Sequence, residues 1–234
     1  MGAIEIAGSI ISRAQERVEV SAQNMANMTT PGYKARRQFS VLIAPEQVDR
    51  AAMPGNQIGP SVDFSVGKLR PTGNPLDLAI SGAGFFAVRS SDTVFYTRDG
   101  QFSRDADGRF VTSEGMVLQA GGGDLAVAGP NVKVLADGTV LDGEQPVAQL
   151  TIVDFADVHS LRSAGAGLFA APDGMAREIA SPQVHQGMLE ASNVSTADEM
   201  LTIMAALRSA ESGQKVVQIY DDLMGRAVTA FGQM

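Results

Sequence analysis

The chain of 234 residues contains no cysteine and no tryptophan, and it contains only two histidines. Without cysteine it can form no disulfide bond, no thiolate nucleophile and no zinc site with cysteine ligands. Its net charge is −8, whereas a nucleic-acid-binding protein normally shows a basic patch, so no nucleic-acid partner is expected. No stretch approaches the roughly 18 to 20 apolar residues of a membrane helix, so no membrane insertion is expected.

Motifs that accompany catalysis or metal binding are also missing. His159 and His185 lie outside any metal-binding spacing, and no serine occupies a Gly-x-Ser-x-Gly turn. The stretch 105–108 has the acidic residues of a calcium loop, but its glycine comes too early and its neighbours have strand patterns, which favours a β-turn. We therefore expect no catalytic residue, no metal ligand and no cofactor, and this favours a structural or binding role.

Long helical patterns are present at both ends of the chain. Residues 195–234 keep a helical period over about nine turns, beginning at the capping residues Ser195 and Thr196. Residues 2–28 show a seven-residue repeat. The predicted assembly seam consists of the inward apolar positions Ile4, Ile11, Val18 and Met25 in the first helix and Ile203, Leu207, Val217, Met224 and Phe231 in the second. Other positions predicted to share these faces are Ala7, Ala14, Ser21 and Met28 in the first helix and Met204, Ala210, Tyr220 and Ala227 in the second.

Two interpretations of these helices remain open. The helices could form a hairpin that buries both faces within one chain. Alternatively, they could form a two-helix unit that packs against copies or relatives of itself. A helix of about 36 residues is about 54 Å long, which is longer than a compact domain of this size needs. The small residues of the first helix would let another helix approach closely.

Between the helical ends, the sequence period changes to that of strands. From residue 73 to about residue 186, short apolar stretches alternate with turn signals such as Asp-Gly at 137–138 and 142–143. Glycine and proline interrupt the pattern at 33–72, which predicts an extended connector. The predicted fold class is α+β. It combines a terminal helical, coiled-coil-like stalk (1–32 and 193–234), a connector (33–72) and a central all-β domain (73–192).

Three separated blocks resemble the bacterial flagellar rod and hook family of axial proteins. The first block, 21–34, contains Asn24, Asn27, Pro31 and Gly32, which match the family's N-terminal rod motif. The second block covers 73–86, 96–100 and 105–111, and the third covers 186–194. The blocks follow one another in the family's order and span nearly the whole chain.

The resemblance implies a structural subunit of the basal-body rod, the drive shaft that links the membrane motor to the hook across the periplasm. Such subunits polymerise through their terminal helices, with other rod subunits and copies of themselves as partners. The flagellar type III apparatus exports them without a cleaved signal, consistent with the absence of a signal-peptide pattern at the N-terminus. The single β domain favours a proximal rod protein.

Other readings remain open. Within the family, a distal rod or hook-type subunit is the alternative. From other classes, the alternatives are a secreted β-domain hydrolase or carbohydrate-binding protein with a helical oligomerisation stalk, and a cytoplasmic coiled-coil adaptor.

Overall fold

The computed structural model describes residues 3–38, 61–91, 93–121, 123–129, 131–172 and 174–231. Most of the predicted connector, residues 39–60, lies outside the described residues, as do the predicted helical positions 2 and 232–234. The described chain has one helix at each end and short strands between them, so the predicted α+β class with a mostly β centre is confirmed.

Two α-helices and nineteen short strands make up the described part of the chain. The helices are α1 (Ala3–Ala26) and α2 (Thr196–Phe231). The strands in chain order are β1 (Arg36–Arg37), β2 (Ser61–Val62), β3 (Leu69–Pro71), β4 (Leu78–Ile80), β5 (Phe85–Ser90), β6 (Thr93–Thr97), β7 (Ser103–Arg104), β8 (Phe110–Val111), β9 (Val117–Ala120), β10 (Gly123–Asp124), β11 (Val132–Val134), β12 (Thr139–Asp142), β13 (Gln145–Gln149), β14 (Ile152–Phe155), β15 (Arg162–Gly165), β16 (Leu168–Ala170), β17 (Ala176–Glu178), β18 (Val184–Gln186) and β19 (Met188–Glu190). A short 3-10 helix covers Val158–Ser160. Within the described ranges, neither α-helix is apolar over a length sufficient to cross a lipid bilayer.

Local sequence signals account for the start of α2. The side-chain oxygen of Ser195 accepts a hydrogen bond from the Asp198 amide at 3.5 Å, and its carbonyl accepts one from the Glu199 amide at 3.0 Å. These contacts satisfy donors that the first turn of a helix otherwise leaves unpaired. The cap predicted at Ser195 is therefore present.

The chain divides into two compact units. The helical unit contains Met1–Ala26, Arg36–Ser61 and Val194–Met234, and the β unit contains Asn27–Ala35 and Val62–Asn193. The β unit therefore includes the short segment Asn27–Ala35, which directly follows α1, in addition to the strand-rich centre of the chain.

The largest sheet of the β unit is antiparallel and follows the order β15-β16-β6-β5-β9-β8-β7. Strand β14 pairs with both β5 and β17, and β10 pairs with β9. Strands β11, β12 and β13 form a separate three-stranded sheet.

Two further strand pairs join distant parts of the β unit. Strand β4 pairs with β18, and β3 pairs with β19, with Leu69 opposite Glu190. These pairs bring residues 69–80 beside residues 184–190. They place Glu190 next to the start of the strand-rich region.

The core of the β unit contains large apolar side chains. Its first cluster includes Phe86 and Phe102, whose rings meet edge to face at 5.5 Å. The second cluster centres on Phe85, Phe155 and Phe169. Because successive side chains of a strand point to opposite faces, β5 contributes Phe86 to the first cluster and Phe85 to the second.

Candidate functional site

The two helices of the helical unit contact each other at close range. A Cβ atom on Gly213 of α2 would stand 2.8 Å from Cγ1 of Ile11 and 3.3 Å from the carbonyl oxygen of Ala7. Farther along, the side-chain amide of Asn24 donates a hydrogen bond to Glu199 at 2.8 Å. Residues near the start of α1 contact residues late in α2, and residues near the end of α1 contact the start of α2. The two helices therefore run antiparallel.

The buried positions of this helix contact face recur every seven residues. They are Ala7, Ala14 and Ser21 on α1 and Ala206 and Gly213 on α2. This spacing keeps one stripe of each helix toward its neighbour, and small side chains allow the helix axes to approach closely. Among the described side chains of the helical unit, every fully buried hydrophobic one is an alanine.

The α1 positions of the assembly seam flank this face instead of forming its centre. Ile11, Val18 and Met25 are half-buried, and Ile4 is 46% exposed. Their companion row of small residues occupies the centre, as expected for a row that lets another helix approach.

The α2 positions of the assembly seam divide into two groups. Ile203 and Val217 are half-buried, whereas Leu207 and Met224 are 52% and 51% exposed. Met204, also expected to point inward, is 55% exposed. Phe231 belongs to α2, but its side chain lies outside the described residues.

The exposure of Leu207 has a geometric cause, and the inward orientation predicted for it differs from the structure. Ala206 lies at the centre of the helix contact face, and the next residue along a helix points about 100° away. Met224 is exposed for a different reason. The register that joins Asn24 to Glu199 places Ala3, the first described residue of α1, near Tyr220, so residues 221–231 extend past α1.

Large apolar side chains remain on the outside of both helices. This exposed apolar surface consists of Ile4 and Ile6 on α1 and of Met200, Leu201, Met204, Leu207, Val216, Ile219, Leu223 and Met224 on α2. Met200, Met204 and Leu207 follow the spacing i, i+4, i+7, which places them on one face of α2. Exposed apolar surfaces of this kind are typical of sites that bind another protein, a membrane or a ligand.

Asn24 is a buried polar junction within the helical unit. Its side chain is 1% exposed, and its amide donates to the Arg36 carbonyl and to Glu199, each at 2.8 Å. Its side-chain oxygen accepts a hydrogen bond from the Arg36 amide at 2.8 Å. Both donors and the acceptor are therefore satisfied, and Asn24 fixes Arg36 and the first turn of α2 to α1.

The other motif residues shape the turn that follows α1. The Thr30 amide donates to the Asn27 carbonyl at 3.1 Å, and the Thr30 hydroxyl lies 3.3 Å from the Asn27 side-chain oxygen. The half-buried Pro31 follows, and then Gly32 with φ of +66°. A Cβ atom on Gly32 would overlap the peptide bond between Arg98 and Asp99.

The Glu190 cluster is a group of three buried charges in the β unit: Lys34, Arg98 and Glu190. The Lys34 ammonium lies 2.6 Å from Glu190 Oε1, and Arg98 Nη1 lies 3.1 Å from Glu190 Oε2. Lys34 also donates to the Ser65 carbonyl at 2.7 Å, and Glu190 accepts from the Gly67 amide at 2.7 Å. One carboxylate near the C-terminal end of the β unit therefore serves two cations from the first half of the sequence.

Burial opposes the charged state of both cations. Desolvation lowers the pKa of Lys34, although the hydrogen bond and the charge of Glu190 act in the other direction. Arg98 repels Lys34 and lowers the pKa of Lys34 further. Desolvation also lowers the pKa of Arg98, and Glu190 again opposes it.

Asn193 holds the same parts of the β unit together from a second position. Its side-chain oxygen accepts from the Ala35 amide at 2.7 Å, and its side-chain amide donates to the carbonyls of Asp63 and Ser65. Residues 31–35, 63–67 and 190–193 consequently form one hydrogen-bonded network with the Glu190 cluster at its centre.

The carboxyl group of Asp99, next to Arg98, has a raised pKa. Desolvation raises the pKa of Asp99 from 3.8 to about 6, and the negative charges of Asp77 and Glu114 add to the increase. The hydrogen bond that Asp99 accepts from the Gln101 amide at 2.9 Å acts in the opposite direction. A carboxyl group of this pKa titrates just below neutral pH.

Sequence reasoning did not identify Lys34, Arg98, Glu190 and Asn193 as site residues, although each lies within a block that carries the family resemblance. The available signal was a charged or amide residue within an otherwise apolar or small-residue motif, as at Leu189-Glu190-Ala191. That signal indicates burial with a partner, but it does not name the partner.

The carboxylates that resembled a calcium loop are used within a turn. Asp105 Oδ1 accepts from the amides of Asp107 and Arg109, and Asp105 Oδ2 lies 2.7 Å from Arg109 Nε. This is the expected β-turn. Across the residues that the structure describes, no group of three or more acidic or histidine side chains is arranged to hold a metal ion.

Comparison with protein families identifies two matching regions. Residues 79–150 match the D1 domain of the flagellar hook protein FlgE/F/G group, and residues 185–230 match the C-terminal region of flagellar basal body rod FlgEFG proteins. The first match lies in the β unit, and the second begins in β18 and covers most of α2.

Whole-chain comparison finds relatives that match this chain over nearly the full length of both proteins. The chain is 32% identical to the flagellar basal-body rod protein FlgG of Agrobacterium fabrum, over 95% of this chain and 97% of that protein. It is also 32% identical to FlgF of Caulobacter vibrioides, over 94% of each chain, and 29% identical to FlgF of Escherichia coli, over 96% of each. All three relatives carry the name flagellar basal-body rod protein.

Proposed function

Because this chain belongs to the family of flagellar hook and basal-body rod proteins, we propose that it is a structural subunit of the flagellar rod and has no enzymatic activity. The observation that carries the proposal is the exposed apolar surface of the helical unit. Its helices meet through alanine, serine and glycine, while ten larger apolar side chains among the described residues of this unit remain exposed. Full burial of such a side chain from full exposure is worth about 1.5–3 kcal/mol. Because these side chains are about half exposed, covering each of them would contribute roughly half of that value.

In this proposal, α1 and α2 form a coiled-coil-like stalk that polymerises with other rod subunits and with copies of the chain. A contact that joins different surfaces of successive subunits builds an open filament. Residues 221–231 of α2 extend past α1 and supply a surface that another subunit can cover. The assembly seam then acts in two parts, with Ile203 and Val217 beside α1 and with Leu207 and Met224 toward a neighbour.

We further propose that the chain occupies a proximal position in the rod. The strand-rich residues form one β unit with two adjoining apolar clusters, which suits a subunit with a single β domain.

The proposal also includes export by the flagellar type III apparatus without removal of a signal segment. Cleavage of the roughly 15–30 residues of a secretory signal would delete Ala7 and Ala14 from the helix contact face. Mass spectrometry of the chain from purified basal bodies tests this proposal. An N-terminus beginning within the first few residues is expected, and one beyond Ala14 would contradict it.

The main test is to place charge on the exposed apolar surface. Leu207→Asp is expected to leave the purified monomer folded, because the side chain is 52% exposed, and to prevent incorporation into basal bodies. The matched control is Val147→Asp on β13, where the side chain is 50% exposed but lies in the β unit. Circular dichroism checks folding, and immunoblots of purified basal bodies with motility in soft agar check assembly.

Three results are informative. Loss of assembly with Leu207→Asp alone supports the proposal. Normal assembly and motility with Leu207→Asp would refute the role of this surface. Loss of assembly with both variants would mean that the β unit also forms essential contacts.

A further inference from the structure

We propose that residues 31–35 form a strap that closes on the β unit and can open separately while the main sheet stays folded. The contacts that hold the strap include two hydrogen bonds donated by its amides, one accepted by its carbonyl, and one ion pair. The Gly32 amide donates to the Glu190 carbonyl at 2.8 Å, and the Ala35 amide donates to Asn193 at 2.7 Å. The Asp63 amide donates to the Ala35 carbonyl at 2.8 Å, and Lys34 binds Glu190.

The strap lies outside the apolar clusters that stabilise the β unit. Tyr33 and Ala35 are buried, but neither belongs to the cluster around Phe86 or to the cluster around Phe85. Opening the strap would therefore expose Tyr33 and Ala35 and remove hydrogen bonds and one ion pair, while both clusters stay packed. Segments of this kind open with a smaller free energy than the whole domain.

The charges of the Glu190 cluster also favour a separate opening. In the closed state, two cations share one carboxylate, and desolvation opposes the charge of both cations. When the strap opens, Lys34 returns to water and leaves Arg98 and Glu190 as a balanced pair. Opening therefore leaves no buried charge without a partner. An unpartnered buried charge is the usual reason that breaking a buried ion pair is so unfavourable.

The order of the chain makes the strap the last part of the β unit to close. Lys34 and Glu190 are 156 residues apart in sequence. Glu190 reaches its position only when β19 pairs with β3, which places it opposite Leu69. Contacts between such distant residues form late, because the entropy of closing the intervening loop must be overcome first. The strap therefore locks only after both ends of the β unit are in place.

Hydrogen exchange of the full-length protein, measured by mass spectrometry of its peptides, tests the proposal. In the wild-type chain, the peptide that spans 31–35 is expected to exchange at least tenfold faster than the peptide that spans β5. Glu190→Gln leaves Lys34 and Arg98 buried without their shared anion. It is expected to accelerate exchange in the strap on the order of 100-fold, with little change in β5.

Lys34→Met provides the discriminating comparison. It leaves Arg98 and Glu190 paired, so strap exchange is expected to stay within about threefold of wild type. The matched controls are Glu178→Gln and Lys133→Met, which change exposed side chains on β17 and β11. Both controls are expected to exchange as the wild type does.

Two outcomes would overturn the proposal. The first is equal exchange of the strap and of β5 in the wild-type chain, which would mean that they open only together. The second is equal acceleration by Lys34→Met and Glu190→Gln, which would contradict the role of the shared carboxylate. Where Glu190→Gln does not fold, Asn193→Ala replaces it. Asn193→Ala removes the acceptor of the Ala35 amide and is expected to accelerate the strap about tenfold with β5 unchanged; a strap that stays as slow as in wild type would again overturn it.

Discussion

The β unit and the helical unit of this protein differ in what they bury. The β unit buries phenylalanine, leucine, isoleucine and valine from several strands. The helical unit buries alanine at its contact face and leaves isoleucine, leucine and methionine exposed. The β unit therefore contains a complete core of its own, whereas the helical unit has the composition of one side of a larger interface. In the proposed function, the β unit is the folded module and the helical unit is the part that assembles with neighbouring subunits.

The largest expected effect concerns the turn that begins the strap of the β unit. Gly32→Ala adds a methyl group that overlaps the Arg98–Asp99 backbone at a residue with φ of +66°. Backbone cannot move aside as a flexible side chain can, so we expect a loss of about 4 kcal/mol or more in the free energy of unfolding. Urea denaturation measures this loss.

The control for this variant is Gly73→Ala. Gly73 also has a positive φ, of +76°, but no atom lies within 4 Å of an added Cβ. Its cost is expected to be about 1–2 kcal/mol, from backbone strain alone. Equal losses at the two glycines would show that the close approach at Gly32 has no energetic weight.

The next prediction compares the two units directly with one type of substitution. Leu118→Ala removes a fully buried side chain from the β unit and is expected to cost about 2–5 kcal/mol. Leu207→Ala removes an exposed side chain from α2 and is expected to change the free energy of unfolding of the monomer by less than about 0.5 kcal/mol. Calorimetry of both purified variants measures the difference. A large loss with Leu207→Ala would mean that the isolated chain already covers this surface.

The same comparison shows what could be predicted from the sequence. Apolar residues spaced three or four apart indicate a helix and alternating ones indicate a strand, so the helical ends and the β centre were predicted correctly. The Ser195 cap was also predicted correctly, from the residue type at the start of the helix. On α2, the centre of the helix contact face was not, because the apolar period there is set by large residues such as Leu207. Close packing of two helices instead selects the small neighbour, Ala206.

The Glu190 cluster could not be predicted for a different reason. Lys34, Arg98 and Glu190 are far apart in sequence, and a local pattern carries no information about which distant charges will meet. Their meeting depends on the pairing of β3 with β19, which is a property of the whole fold. The signal visible in the sequence was a charged residue, Glu190, between Leu189 and Ala191, but its partners are visible only in the structure.

A smaller effect is expected at Asp99 of the β unit. Its pKa of about 6 in the folded protein lies above the ordinary value of 3.8. The folded state therefore favours the protonated carboxyl. That contribution to stability is fully present below about pH 4 and is lost as the pH rises through about 6. Asp99→Asn removes the ionisation and is expected to raise the free energy of unfolding at pH 7.5 by about 1–2 kcal/mol.

The pH dependence of this gain is its control. The difference between Asp99→Asn and wild type is expected to increase between about pH 4 and pH 7 and to stay constant above that range. Thermal melts across this range measure it. Asp107→Asn, which changes an exposed carboxylate in a turn of the same unit, is the matched control variant for these melts. The elevated pKa of Asp99 would be contradicted by a gain that does not change with pH.

The smallest effect tests how closely the helices approach. Replacing glycine by alanine within a helix normally stabilises it by about 1 kcal/mol. Gly8 has no atom within 4 Å of an added Cβ, so Gly8→Ala is expected to show this gain. At Gly213 the same Cβ would lie 2.8 Å from Ile11 and 3.3 Å from the Ala7 carbonyl. The helices must separate to admit it, so Gly213→Ala is expected to give no gain or a small loss. Melting followed by the helical circular dichroism signal compares the two variants. Equal stabilisation at both glycines would mean that the contact between α1 and α2 is looser than the structure indicates. Close helix packing would then no longer explain why the helical unit buries small side chains while the β unit buries large ones.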